Sequence, residues 1–243
     1  MSTETLSAET REKLSTVSTA TLTTQMYKRG FRNVFMQGVG RLTTAHDRNM
    51  VGPAFTLRYI PAREDLDDLS VFQDYDHPQR KAIETCPEGH VLVMDSRGDA
   101  TAASAGNILI TRLMKRGAAG VVTDGGLRDS YEIAEYDIPA YHSHPSPPTN
   151  LIKHHAVETL NEPIACGGVA VYPGDILVGD LDGVVVIPRH LADEVANDAS
   201  EQEIHEEFIY SEVAGGKPLR GIYPPDEDAK ARYTEWRKKR DGG

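Results

Sequence analysis

Between Gly106 and Asp129 the chain reads GNILITRLMKRGAAGVVTDGGLRD: a glycine-opened helix, a buried strand, and a Gly-Gly turn ending in adjacent Arg128 and Asp129. This order constrains the fold to a βα-type unit. The first backbone N–H groups of the helix expected over 107–115 have no intrahelical acceptor and attract an anion. A guanidinium at Arg128 forks onto a carboxylate or a developing enolate oxygen. A carboxylate at Asp129 is a hard oxygen ligand for Mg²⁺ or Mn²⁺, which usually keep waters and take one or two protein carboxylates. A metal-assisted reaction on a small carboxylate requires these three features together. Each also has a structural reading: a helix start at Gly106, a surface ion pair at Arg128, and an N-capping pair of Asp129 with Glu132.

The rest of the chain alternates helical and strand periods. Leu14, Val17, Leu22 and Met26 mark a helix over 8–29 with Gly30 as its stop. Strands are expected at 55–60, 90–95, 119–124 and 138–143, with a polar insert over 63–86 that leads into a helix. Residues 164–188 read as hairpins around the turn signals Pro173-Gly174-Asp175 and Asp180-Leu181-Asp182-Gly183. A helix over about 189–213 and a tail follow. The expected division is a domain over 1–190 and a C-terminal helical extension over 191–243. Neither GxGxxG nor GxxxxGK[ST] occurs, which argues against a doubly wound nucleotide fold.

Composition narrows the function classes. Lys and Arg number 26 against 37 Asp and Glu, a formal net charge of −11. Nucleic-acid binding depends on clustered basic charge, so no nucleic-acid partner is expected; the run Arg237–Arg240 reads as a solvated tail. Two cysteines, Cys86 and Cys166, provide no disulfide framework. With no apolar run of membrane-span length and no leader in MSTETLSAETREKL, a soluble cytoplasmic protein without a membrane partner is expected.

The segment also resembles a family. Gly106-Asn107-Ile108-Leu109 followed by Arg128-Asp129 is similar to the motif of the class II pyruvate aldolases that cleave 4-hydroxy-4-methyl-2-oxoglutarate. Their superfamily includes the RraA-type regulators of ribonuclease E. MVGPAFTLRYIPA (50–62), PEGHVLVMDSRGDATAASAGNIL (87–109) and VYPGDILVGDLDGVVVIP (171–188) look like its blocks, in the same order. The resemblance implies an α/β fold with a β/β/α swivelling-domain (RraA-like) core, an N-terminal helix, and assembly as a homotrimer or homohexamer. It implies a lyase for a small 2-keto acid, dependent on Mg²⁺ or Mn²⁺. Arg128 would bind the keto acid, Asp129 would hold the metal, and Gly106, Asn107, Ile108 and Leu109 would receive the substrate.

One position departs from the motif. Its first residue after the glycine is an acid, and here it is Asn107, which holds a water but cannot relay a proton. Asp99 is a candidate replacement acid, and Arg97, with Arg58, a candidate second cation for the substrate. Arg97 and Asp99 equally make a turn ion pair. Aldol cleavage is the reaction the change would impair, and decarboxylation of oxaloacetate gives the same enolate without deprotonating a hydroxyl. The alternative function is an RraA-type protein-binding regulator without catalysis. His142, His144, His154 and His155 have no zinc-site spacing, and the aspartates at 175, 180 and 182 are turn residues first.

Overall fold

The computed structural model describes residues 6–44 and 48–242; the first five residues of the segment expected to lack a leader lie outside these. The helices are α1 (Ala8–Leu14), α2 (Thr19–Lys28), α3 (Pro78–Thr85), α4 (Asn107–Lys115), α5 (Ser130–Ile133), α6 (Ala192–Ala214) and α7 (Glu227–Asp241). The strands are β1 (Gly40–Arg41), β2 (Met50–Pro61), β3 (Val91–Asp95), β4 (Ala103–Ala105), β5 (Gly120–Thr123), β6 (Gly126–Leu127) and β7 (Ala140–His142). They continue with β8 (His144–Pro145), β9 (His154–Ala156), β10 (Ile164–Cys166), β11 (Val169–Val171), β12 (Ile176–Gly179) and β13 (Val184–Ile187).

The single helix expected over 8–29 is two. Ser15 closes α1, and the Ser18 hydroxyl accepts the Thr21 N–H to open α2. The stop at Gly30 is present: φ is +87°, Gly30 N–H bonds Tyr27 O, and Phe31 N–H bonds Met26 O. This is the Schellman pattern that a left-handed glycine permits.

The main sheet is mixed, in the order β1-β7-β5-β3-β2-β12-β13, with β9 also paired to β2. Strand β2 organises it. Its first residues pair antiparallel with β12, Ala54–Arg58 pair parallel with β3, and Tyr59–Pro61 pair antiparallel with β9. Strands β3, β5 and β7 continue in parallel. The expected hairpins are β10–β11 and β12–β13.

Strand alternation divides the core. Leu92 and Met94 of β3 face a cluster with Ile83 of α3 and Ile110 and Leu113 of α4. Val91 and Val93 face the opposite cluster, where the curled sheet brings them together with Leu177, Val184 and Val186. A third cluster joins α1, α2 and the β12–β13 hairpin to Ala192, Val195, Ala196 and Ala199 of α6. The start of the C-terminal extension is therefore core. Helix α7 docks on α6 through Phe208, Tyr233 and Trp236, and Arg237 pairs with Glu201 and Asp241. Part of the terminal basic run is thus spent on ion pairs. No helix among the described residues is long and apolar enough to cross a membrane.

A small parallel sheet, β4-β6-β8, lies beside this core. It sets the ends of β4 and β6 side by side, with Arg128 N–H bonded to Ala105 O at 3.0 Å. Close packing explains the Gly-Gly turn: a Cβ on Gly125 would lie 2.6 Å from Ser96 Cβ, and one on Gly126 2.3 Å from Ser146 Cβ.

His142 in β7 is buried, and its Nδ1 has no hydrogen-bond partner among the described residues. Burial, with His144 adding to it, pushes the imidazole down to about 4. The unfolded chain binds this proton first, so the contribution is complete above about pH 6.5 and is lost as pH falls towards 4, by about 3 kcal/mol in all. Urea denaturation at about pH 7.5 and about pH 4.5 is expected to show His142→Gln losing roughly 2–3 kcal/mol less over that interval than the unsubstituted chain.

Candidate active site

A cavity of about 450 Å³ opens where the ends of β4 and β6 meet. Four segments line it: the first turn of α4, the Arg128–Asp129 turn, the insert before α3 with that helix's first turn, and residues 149–151.

Helix α4 begins at Asn107, with Gly106 in the cap position and no side chain there to satisfy the first N–H groups. The Asp129 carboxylate takes up one of them. Its Oδ2 accepts the Asn107 N–H at 3.3 Å. Asp129 has φ +57° and ψ +32°, a left-handed conformation that Asp tolerates better than most side chains, and it makes no side-chain cap to its own α5. The Asp129–Glu132 capping pair read from the sequence is thus not formed; the backbone turn aims Asp129 at the neighbouring helix. Arg128 Nε lies 3.4 Å from the same Oδ2. A Cβ on Gly106 would lie 2.7 Å from Arg128 Cγ and 2.9 Å from Asp129 Oδ2. Glycine here is a condition of that close approach.

Asn107 is turned outward by one arm: its Nδ2 donates to Glu132 Oε2. Glu132, read above only as a capping partner, therefore orients the residue that replaces the motif acid. Ile108 and Leu109 also line the cavity, as expected for the helix opening.

Arg97 and Asp99 are placed elsewhere and do not line the cavity. They sit in the turn after β3, where Arg97 N–H bonds Asp95 Oδ1 at 2.9 Å and the two side chains approach to 3.9 Å. The Arg97 guanidinium also lies 3.4 Å from His154 Nδ1. Asp99 accepts the Thr101 N–H at 2.9 Å, and hydrogen bonding by Thr101 holds its carboxyl below the usual range. The local turn supplies partners for both residues, and this cavity does not bring them together with Arg128 and Asp129.

The fit of a divalent ion rests on donor chemistry. Both contacts to Asp129 fall on Oδ2, so its other oxygen is the natural donor. No three His, Cys, Asp or Glu side chains cluster to hold a metal among the described residues. A caged structural ion does not fit this arrangement. An ion held by one carboxylate and completed by water and substrate does.

Part of the lining was not legible in the sequence. His77 and Gln79 come from the polar insert and Asn150 from the end of the proline-rich loop over 144–150, and all three are buried. Gln79 Nε2 and Tyr59 Oη both donate to Ser104 O, at 2.6 and 2.8 Å. Beneath them, Ser104 Oγ sits 2.7 Å from Ser96 Oγ and from Thr123 Oγ1. This buried hydroxyl chain braces β4 against β5, and so holds the helix opening in place. Nothing in the periodicity signals it, because each residue reads locally as loop or strand.

The chain is similar to known proteins in sequence and in fold. Residues 19–186 match the RraA-like family profile, described as Aldolase/RraA. A Halalkalibacterium halodurans protein named "Putative 4-hydroxy-4-methyl-2-oxoglutarate aldolase" is 33% identical over 158 residues, 65% of this chain and 69% of that one. The crystal structure of Streptomyces coelicolor RraAS2 is described as an unusual member of the RNase ES inhibitor RraA protein family. It is 30% identical, with TM-score 0.73, over 84% of this chain and 97% of its own. An uncharacterized protein from Pseudomonas syringae pv. tomato str. DC3000 matches at TM-score 0.78 and 23% identity, over 92% of this chain and 96% of its own, and supports the fold alone. With the profile spanning more than half of its length, the chain belongs to the RraA-like (Aldolase/RraA) family.

Proposed function

We propose that this protein is a divalent-metal-dependent carbon–carbon lyase for a small 2-keto acid, releasing pyruvate by aldol cleavage or by oxaloacetate-type decarboxylation. The observation that carries the reading is the left-handed Asp129, whose carboxylate is set against the opening of α4 at the cavity. The name of the 33%-identical relative supports the substrate class.

The residues divide the work as follows. The opening of α4 receives the substrate carboxylate through backbone N–H groups. Arg128 holds the 2-keto oxygen and stabilises the charge that develops there. A Mg²⁺ or Mn²⁺ ion held by Asp129 would supply Lewis-acid polarisation of the keto acid. Breaking C3–C4 leaves its electron pair on C3, which becomes the enolate of pyruvate and then takes a proton. The departing fragment is a carbonyl compound in aldol cleavage and CO₂ in decarboxylation. Only the first route requires a proton to be removed from a C4 hydroxyl. Asn107, tied to Glu132 by its Nδ2, is no base for that proton. Decarboxylation is therefore the less impaired route.

A second reading, a protein-binding regulator of the RraA type, draws support from the amide at Asn107 and from the 30%-identical RraAS2 structure.

Pyruvate release from oxaloacetate, 4-hydroxy-4-methyl-2-oxoglutarate and 2-keto-3-deoxy sugar acids separates the two readings. Release is expected with Mg²⁺, to be lost with EDTA, and to fall by roughly a hundredfold or more in Asp129→Ala, as when a main electrostatic contact is removed. Gly106→Ala is expected to lower release comparably, because it displaces both Arg128 and Asp129, while circular dichroism still reports a folded chain. Asn107→Asp is expected to raise hydroxy-acid cleavage relative to oxaloacetate turnover by about a hundredfold, the lower end for a restored general base. No release from any substrate, with no metal-dependent thermal shift on adding pyruvate or oxalate, would leave the regulator reading.

A further inference from the structure

The insert that leads into α3 is fixed at its two ends and weakly held between them. At its start Ala62 N–H bonds Lys153 O at 3.0 Å, and the Asp67 carboxylate, 3% exposed, meets His155 Nδ1 of β9 at 2.8 Å. At its end His77 is buried and caps α3 by accepting the Gln79 N–H. Residues 68–76, between these points, contribute no buried side chain. Among the described residues their hydrogen bonds stay within the segment, apart from three donated by Arg80. These go to the carbonyls of Val71 and Phe72, at 3.0 and 2.9 Å, and of Asp74. Nine residues tethered by one arginine, with exposed backbone, open locally at little cost.

The same segment is apolar where it has no core to join. Leu69 is 79% exposed, Phe72 43% and Tyr75 91%. One exposed leucine requires no explanation, but three large apolar side chains within seven residues form a patch of the kind that another surface covers. The cavity offers that surface. Phe72 lines it together with Ile108 of α4, which is itself 79% exposed. The mouth of the cavity thus carries bare apolar side chains from both the insert and the helix opening.

We infer that residues 68–76 are a lid, hinged at Asp67 and His77, that closes on the first turn of α4 when a substrate sits there. Closure brings Leu69 and Phe72 onto Ile108 and shuts water out of the site. Excluding water strengthens the hold of Arg128 and the helix opening on the charge that develops at the keto oxygen. Arg80 is the positioning residue that sets where the open lid rests. The lid deepens the proposed lyase and rests on the reading that the keto acid lies at Arg128 and Asp129.

Hydrogen–deuterium exchange of the full chain tests it, with Mg²⁺ alone and with Mg²⁺ and oxalate. Amides of 68–76 are expected to exchange rapidly without oxalate and to slow about tenfold or more with it, the effect on a local opening equilibrium of burying one large apolar side chain. Amides in the first turn of α4 slow in the same samples and report that oxalate has bound. Leu69→Ser combined with Phe72→Ser, both at exposed positions, is expected to keep the slowing at α4 and lose it at 68–76. Slowing at α4 with none at 68–76 in the unsubstituted chain overturns the lid. So does a segment already slow before oxalate is added, as when a second copy of the chain covers it. Equal slowing in the doubly substituted chain overturns closure through Leu69 and Phe72. No response in either segment overturns the keto-acid reading itself, and the lid with it.

Discussion

Asp129 reaches from the end of one strand to cap a helix that is not its own, and the site's other features follow from that contact. Helix α4 starts at a glycine, so it has no side-chain cap. The residue that serves it must come from elsewhere, and the parallel pairing of β4 with β6 brings Asp129 near enough. The same closeness excludes any Cβ at Gly106 and forces a left-handed backbone at Asp129. An exposed ion pair such as Arg128 with Asp129 stabilises a fold by no more than about 1 kcal/mol. The arrangement therefore makes more sense as a poised set of charges than as a brace.

The brace lies behind it. Buried carboxylates at the strand ends are satisfied by backbone rather than by cations: Asp124 accepts from the N–H groups of Ser96, Gly98 and Gly167 at 2.7, 3.0 and 3.3 Å. Asp95 accepts from Arg97 and Ala165, although burial still pushes its carboxyl above the ordinary range. These bonds knit the turn after β3 and the β10–β11 hairpin to the ends of β3 and β5. Together with the Ser96–Ser104–Thr123 hydroxyls they make a rigid floor under the helix opening. A site that discriminates by small displacements needs such a floor, because supporting hydrogen bonds hold reacting groups in register.

Asn107 and Glu132 show how the departure from the motif is accommodated locally. An acid at position 107 beside Glu132 would place two negative charges together. The amide turns that repulsion into a hydrogen bond. An amide there has no proton-accepting capacity of the kind a carboxylate has. On the proposed function, a route that needs no hydroxyl deprotonation is the less impaired one.

Much of this was written locally in the sequence. The helix at 107–115, the strands through 55–60 and 120–123, the hairpins, the Gly30 stop and the Gly-Gly-Leu-Arg-Asp turn depend on periodicity and turn chemistry within a few residues. Those signals are short-range, and so is the motif that carries the family resemblance. The break between α1 and α2 was missed because apolar spacing continues across it while the Ser18 cap acts locally against it. Where a side chain satisfies its hydrogen bonds is a different matter, since that depends on which neighbours packing delivers. Tertiary structure alone decided that Asp129 caps α4 rather than α5, that Arg97 and Asp99 close on their own turn, and that Glu132 holds Asn107. It alone brought His77 and Asn150, 73 residues apart in number, to one cavity. Chain segments that distant meet only when the sheet has closed, and no local pattern encodes the meeting.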